Sequence, residues 1–517
     1  MKRNTFFIIM TLAAGLLFSG CAKELDIPKK GNLGAEEDFY KTDEDAEAAI
    51  TMCYSDMGAG LYEELRTIDN LLSDDIWCGG GSKNDNAQRE DIGAYVHSST
   101  NELIQSMFEH LYTLIYHSNL VIEKFDSYDS DIKKRALAEA YFFRGFAHFY
   151  LGAFFGTAPI VDHLLETDEY AQGNSTREGL YGQAISDFSK ALEGNNLTAK
   201  SLGDRGVRVT PETVKSFLGK AYVFNEDFSS AVRVLDEVIS SGKYALYGGA
   251  YGDLQHAAAD YCAEYVFERN IVQDWSNPWS NLTTAFVYYG IRDEMYDMSG
   301  LQANLSGGGY GFFNPTKSLY DAFVAEEGEN GYRLGESVKT YPQMKANGVT
   351  ILEGKTLHGH EGYWNWKNRL LTSDWYIFQM IPTPNLVYMR YAEVLLLAAE
   401  AHVRGGDPGK AAEYLNRVRS RASLPAKGSI SLADVKTEKR LELCFEGCRW
   451  MDLVRWGDAA TVLGDKGKSI KGFNGTAAVE EYTNSGSKGF VAGKHEVLPI
   501  PDLEIKLNSS LTQNPQW

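Results

Sequence analysis

The stretch Arg135 to Val161, RALAEAYFFRGFAHFYLGAFFGTAPIV, decides the fold. Phe142, Phe146, Phe149 and Phe154 fall near i, i+4, i+7 and i+12, the spacing of one helical face. Ala138, Gly145 and Gly152 recur every seven residues, so a line of small side chains runs beside the rings. A glycine inside a helix costs about 1 kcal/mol relative to alanine, and two in register predict another helix packed very close. Gly156 and Pro159 predict where this helix stops. Arg144 and His148 interrupt an apolar run too short to cross a bilayer. These features predict a buried core helix in a mainly α protein.

Outward from that helix, paired helices recur. Thr42 can cap a helix with an acidic first turn, running to about Met57. Asn101 to Phe125 reads as the partner of the central helix. Tyr181 to Leu192 is one further helix; Thr210-Pro211 opens another that reaches Phe224, turns at Asn225-Glu226-Asp227 and returns over Phe228 to Ile239. Tyr391 to Val403, a Gly405-Gly406-Asp407-Pro408 turn and a helix to Arg421 repeat the arrangement. Such pairs predict degenerate tetratricopeptide-type units over about 101–240 and 388–460. Residues of about 60–100 and 244–376 break the pattern with Gly248-Gly249, Gly307-Gly308-Gly309, Asn277-Pro278 and many rings. They predict an irregular, loop-rich lobe with short strands. A second Gly/Ser-rich insertion runs from Gly464 to Gly493.

The chain has 517 residues, 50 basic and 70 acidic, for a net charge of −20. That balance argues against nucleic acid, which demands basic patches, and against electrostatic docking on anionic lipid. Met1-Lys2-Arg3, the apolar run Phe6 to Phe18, and Leu17-Phe18-Ser19-Gly20-Cys21 look like a bacterial lipoprotein leader with its lipobox. Residues 1–20 are expected to be cleaved as a signal peptide and Cys21 acylated, leaving one body from 21 to 517 tethered without spanning the membrane. Five cysteines remain, an odd number, and Cys444 and Cys448 read as small buried hydrophobes on one helix.

Three stretches together resemble the SusD/RagB family of outer-membrane nutrient-binding lipoproteins. The first is the central helix with its Gly156-Thr157-Ala158-Pro159-Ile160-Val161 exit. The second is Glu438-Lys439-Arg440-Leu441-Glu442-Leu443, Phe445-Glu446-Gly447, Arg449-Trp450 and Asp452-Leu453-Val454-Arg455-Trp456-Gly457. The third is the tail, Leu498-Pro499-Ile500-Pro501, Glu504-Ile505, Asn508 and Leu511 to Pro515. Tyr391-Ala392-Glu393 with Ala399-Glu400-Ala401 is a weaker match. The resemblance implies a SusD-like fold, structural salt bridges in the second motif, and no catalysis or cofactor. It also implies a glycan ligand, a TonB-dependent SusC-like transporter as partner, and a lipid-anchored place on the outer membrane, facing the cell surface. The spacing of the second motif suggests a buried Glu446–Arg449 pair on a helix.

Motifs for turnover are sparse. Adjacent carboxylates such as Asp74-Asp75 seldom converge on one glycosidic bond. His358-x-His360-Glu361 could hold a metal only with a further cluster, and none is near in sequence, so no metal is expected. The glycines at 307–311 lack the context of a phosphate loop. Sugar rings offer apolar C–H faces edged by hydroxyls, which suit Trp and Tyr flanked by amides and charges. Two clusters fit: Asp74 and Trp77 before the glycine loop 79–81, and Trp275, Asn277 and Trp279 followed by Tyr288, Tyr289 and Arg292. Local packing is the plainer account of each ring. The expected function is capture of oligo- or polysaccharide and its delivery to the transporter. Peptide capture within the same family is the nearest alternative, and a ligand-free helical scaffold lies further off.

Overall fold

The computed structural model describes residues 39–200 and 207–517, so the expected leader 1–20 and the expected acyl site Cys21 lie outside the described residues. Among the described residues no helix is long and apolar enough to cross a membrane.

The central helix spans Asp131–Phe155 and starts at Ser130, whose hydroxyl accepts from the Lys133 amide. Gly156 ends it at φ 71, a conformation that favours glycine. Its rings are buried: Phe142 meets Phe217 and Phe267 edge-on, and Phe154 stacks on Trp450 at 5.7 Å. The helix Arg177–Leu192 packs along the line of small residues. A Cβ at Gly145 would stand 3.0 Å from the Phe188 ring, and one at Gly152 would stand 2.8 Å from Tyr181. The two interrupting polar residues are satisfied inside the core. Arg144 forks onto Asp187 at 2.7 and 2.9 Å, and His148 Nδ1 meets the Arg144 carbonyl. Burial lowers the His148 pKa to about 4.

The other helices of this layer form as their caps dictate. Thr42 makes a capping box with Asp45 ahead of Asp43–Asp56, Asn101 caps Glu102–Glu123, and Thr210 with Pro211 opens Pro211–Phe224. Phe228–Ser240, Tyr391–Gly405 and Pro408–Arg421 complete the paired arrangement. The stretch expected to be irregular from residue 60 opens instead as a helix, Ala59–Leu72, packed on Glu102–Glu123. Its apolar residues Leu61, Leu65, Ile68 and Leu72 follow helical spacing, and its buried positions also carry Glu64, Arg66, Asp69 and Asn70.

The second lobe is built from small antiparallel pairings. Ile76–Gly79 pairs with Phe312–Pro315, Tyr265–Arg269 with Leu386–Arg390, and Val338–Thr340 with Tyr363–Asn365. A separate cluster of Tyr296, Tyr341, Trp364, Trp366 and Phe473 forms its core. The insertion after Gly464 folds as a hairpin, Ser469–Phe473 with Ala478–Thr483, joined to Leu357–His358.

The charged motif is not one helix. Leu432–Glu442 ends, the chain turns through Phe445 at φ 68 and Gly447 at φ 77, and Arg449–Arg455 begins anew. A Cβ on Gly447 would lie 2.7 Å from the Arg66 backbone, so glycine is required twice over. Because of this break the expected Glu446–Arg449 pair does not form. Glu446 accepts from Arg390 and Lys367 instead, and Arg449 reaches Asp74. Cys444 and Cys448 are buried but sit in the turn, with Cys448 at the start of the new helix. Arg390 joins Glu264, Glu442 and Glu446, while Arg333 bridges Glu327, Glu438 and Glu442, all at 2.5–2.9 Å. The tail closes back on the central helix. Leu498 donates its amide to the Phe154 carbonyl, and Asn514 Nδ2 donates to the carbonyls of Phe155 and Leu498.

Candidate functional site

Among the described residues Trp275 and Trp279 are the most exposed large rings of the lobe, at 71% and 58% exposure. They ride on a loop shaped by its own sequence. The Asp274 carboxylate accepts from the Ser276 amide and hydroxyl, and hydrogen bonds to this exposed carboxylate lower its pKa. Pro278 opens a short turn of 3-10 helix, Pro278–Asn281. Asn281 Nδ2 then donates to the Val272 carbonyl at 2.7 Å, clipping the base of the loop shut.

A hairpin, Trp375–Tyr376 with Phe378–Pro382, props the loop from one side. Trp275 meets Tyr376 edge-on at 4.5 Å, and Trp279 leans on Phe378 at 5.9 Å. Gln273 Nε2 donates to the Pro382 carbonyl and the Thr283 amide to the Met380 carbonyl. Ile377, at the tip with φ 66, adds an exposed aliphatic side chain. The result is a ledge of ring faces and edges in solvent, with the exposed Asn277 amide between the two indoles. Stacking on flat apolar faces with hydrogen bonds at the rim is the chemistry this surface offers. The hairpin was not anticipated; the run Trp375-Tyr376-Ile377-Phe378 before Pro382 is its signal in the sequence.

The remaining expected residues lie apart from the ledge. Trp77, half-buried, donates Nε1–H to Glu361, which also accepts from the Lys317 amide. Tyr288 lies under the Arg89 guanidinium at 4.0 Å and is edged by Tyr310, Phe312 and Phe313. Tyr289 packs on Phe313, and burial raises its phenol pKa. Arg292 pairs with Asp85 at 2.5 Å and Glu294 at 3.2 Å, its guanidinium pressed on Gly81. Asp74 belongs to the ionic seam: burial works to raise its pKa, but Arg449 and Arg440 outweigh it and hold the carboxylate low. Both of its oxygens are engaged there, so Asp74 is corrected from a ligand-facing to a structural position. Five of the eight expected residues thus lie apart from the ledge, already partnered, and three, Trp275, Asn277 and Trp279, stand in solvent.

The three side chains of His358-x-His360-Glu361 point to different neighbours. His358 lies between Glu90 and Glu481, His360 packs against Trp364 and Phe473, and Glu361 holds Trp77. Burial works to raise the Glu90 pKa, yet hydrogen bonds from His358, Tyr482 and the Asn84 amide hold it at about 2. Among the described residues no group of three or more His, Cys, Asp or Glu is placed to hold a metal ion.

Two family models match. One, described as the SusD family, covers residues 355–517, and another, described as starch-binding associating with outer membrane, covers residues 38–223. A SusD-like protein of Formosa agariphila is 25% identical over 99% of each chain. A SusD-like protein of Bacteroides ovatus is 25% identical, over 88% of this chain and 82% of its own. Among solved structures, a laminarin-binding SusD-like protein superposes with a TM-score of 0.76 and 25% identity, over 92% of this chain and all of its own. Surface glycan-binding protein A from Bacteroides thetaiotaomicron, in complex with laminarihexaose, shares the fold with a TM-score of 0.74 at 23% identity, over 91% and 99% of the two chains.

Proposed function

The chain belongs to the SusD/RagB family, and on that premise we propose that it captures oligo- or polysaccharide and passes it unaltered to a TonB-dependent SusC-like transporter. The observation that carries this reading is the exposed pair Trp275 and Trp279 on a clipped, propped loop. Large apolar rings that each touch one neighbouring ring yet stay mostly in solvent mark binding surfaces. The laminarin-binding neighbour, similar over nearly the whole chain, supports a glycan as the ligand class. Trp275, Asn277 and Trp279 are the proposed first contacts. Trp77, Tyr288, Tyr289 and Arg292, apart from the ledge, are a second proposed contact region, and the family model's description supports an outer-membrane setting, with Cys21 as the acyl anchor. Stacking and hydrogen bonding account for capture without a covalent step.

Calorimetric titration of residues 22–517 against plant, host and microbial oligosaccharides, with peptides included, tests the proposal. Heat from one glycan class that vanishes in the double variant Trp275→Ala, Trp279→Ala supports capture at the ledge. Heat from peptides alone replaces it with peptide capture by the same surface.

A further inference from the structure

The loop that carries the two tryptophans on its crown also forms, at its clipped base, the wall of a separate cavity of about 320 Å³. Val272 and Asn281 contribute from the loop, Tyr54 and Ser55 from the end of the helix Asp43–Asp56, and Arg208 and Arg269 from the far side. No Asp or Glu lines this cavity among the described residues, although acidic residues outnumber basic ones 70 to 50 in the chain. Arg208 is balanced from behind by Glu47 and Glu139. Arg269 is not: its Nε donates to the Tyr54 carbonyl at 3.3 Å, and its guanidinium has no carboxylate partner among the described residues. Arg333, Arg390, Arg421 and Arg449 are each held by at least one carboxylate, whereas Arg269 is a half-buried guanidinium that opens on a cavity lined by none.

We propose that this cavity is a subsite for an anionic group, a carboxylate or a sulfate ester, carried by the glycan that stacks on Trp275 and Trp279. The proposal rests on the glycan reading above and specifies the substrate class within it. Arg269 supplies the fork that matches a planar or tetrahedral oxyanion, and Asn270 and Asn281 line the same cavity. Reach is adequate. A chain extends at most about 3.6 Å per residue, so the Trp279 Cα lies within about 7 Å of Asn281 and the Trp275 Cα within about 11 Å of Val272. One oligosaccharide can therefore touch both ledge and cavity.

The test compares three probes of matched length by calorimetry at low and high salt: a neutral laminari-oligosaccharide, a uronic-acid oligomer and a sulfated galactan oligomer. The acidic probes are expected to bind more tightly than the neutral one, with an advantage that shrinks as salt rises. Arg269→Gln should weaken the acidic probe about tenfold or more, the worth of a charge-assisted contact, and leave the neutral probe unchanged. Arg269→Lys, which keeps the charge, should recover part of that loss. Whichever acidic probe responds identifies carboxylate or sulfate as the group. Thermal unfolding checks each variant, and the preference and salt dependence of the unaltered protein stand even where a variant fails to fold. If the acidic probes bind no more tightly than the neutral one while Trp275→Ala still removes neutral binding, the subsite is overturned and capture stands. If no oligosaccharide binds, both fall.

Discussion

Around Arg390 the side chains are charged and dry, whereas around Trp275 and Trp279 they are apolar and wet. Each region inverts the usual distribution, and each inversion has a different meaning. In the seam, Arg390 and Arg333 bring together five glutamates from distant parts of the chain, so the turn at 443–448, the helix Tyr391–Gly405 and the strand Tyr265–Arg269 are fixed in one relation. Ion pairs so buried gain little net stability over apolar packing, but breaking one strands its partner in a low dielectric. On the ledge, the rings touch Tyr376 and Phe378 and still leave most of their surface to solvent. The first region holds the molecule to one shape; the second is available to something else.

Four measurements break or sharpen that contrast. Arg390→Ala should cost the most, about 3–5 kcal/mol of unfolding free energy, by stranding Glu264, Glu442 and Glu446. Urea unfolding checks this, and a loss below about 1 kcal/mol would remove the seam from its structural role. Acid should act on the same region. Burial works to raise Glu446 and Glu400, but Arg390 with Lys367, and Arg455, outweigh it and lower each from 4.5 to about 2. A lowered folded-state pKa stabilises above the unfolded value and loses that contribution as pH falls. Stability should therefore decline from about pH 4.5 toward 2, while stacking on the indoles, which carry no titrating proton, stays level from pH 5 to 8. A ledge whose affinity fell with the seam's stability would mean the two regions are coupled.

Trp275→Ala and Trp279→Ala should each cost about 2 kcal/mol of binding, roughly thirtyfold, with the unfolding midpoint nearly unmoved. A large drop in midpoint would recast them as packing residues. The smallest effect comes from a pair of glycines. Gly152→Ala drives a methyl into Tyr181 and should destabilise by about 1–3 kcal/mol. Gly182→Ala, on an exposed helical face with nothing within 4 Å, should stabilise by about 0.5–1 kcal/mol, as thermal unfolding would register.

Helix starts were the most legible part of the sequence, because Thr42, Asn101 and Thr210 act within three residues of themselves. The close approach at Gly145 and Gly152 was legible for the same local reason. Ala59–Leu72 carries a readable apolar stripe, Leu61, Leu65, Ile68 and Leu72, but the partners of its buried polar residues are not readable: Asp69 accepts from the Trp450 and Met451 amides, and Asn70 donates to the Phe445 carbonyl. Partners so remote leave no local trace. The Glu446–Arg449 expectation assumed an unbroken helix, and Phe445 and Gly447 break it. On the site, the residue types announced a ring-rich surface, yet Asp74 looked free until Arg440 and Arg449 arrived from more than 360 positions away. The Tyr376 and Phe378 props were equally remote from the loop they support.

The return of the tail to the central helix has a consequence for the order of events during synthesis. The carbonyls of Phe154 and Phe155 receive their donors from Leu498 and Asn514, and Thr157 bonds to Asn514 across 357 positions. A ribosome delivers residues in sequence, so the central helix emerges long before its own last turn can be completed. Until then its C-terminal carbonyls must be left to water, and the aromatic core beside them can loosen from that end. The last turn of the central helix is therefore completed only once residue 514 has been made.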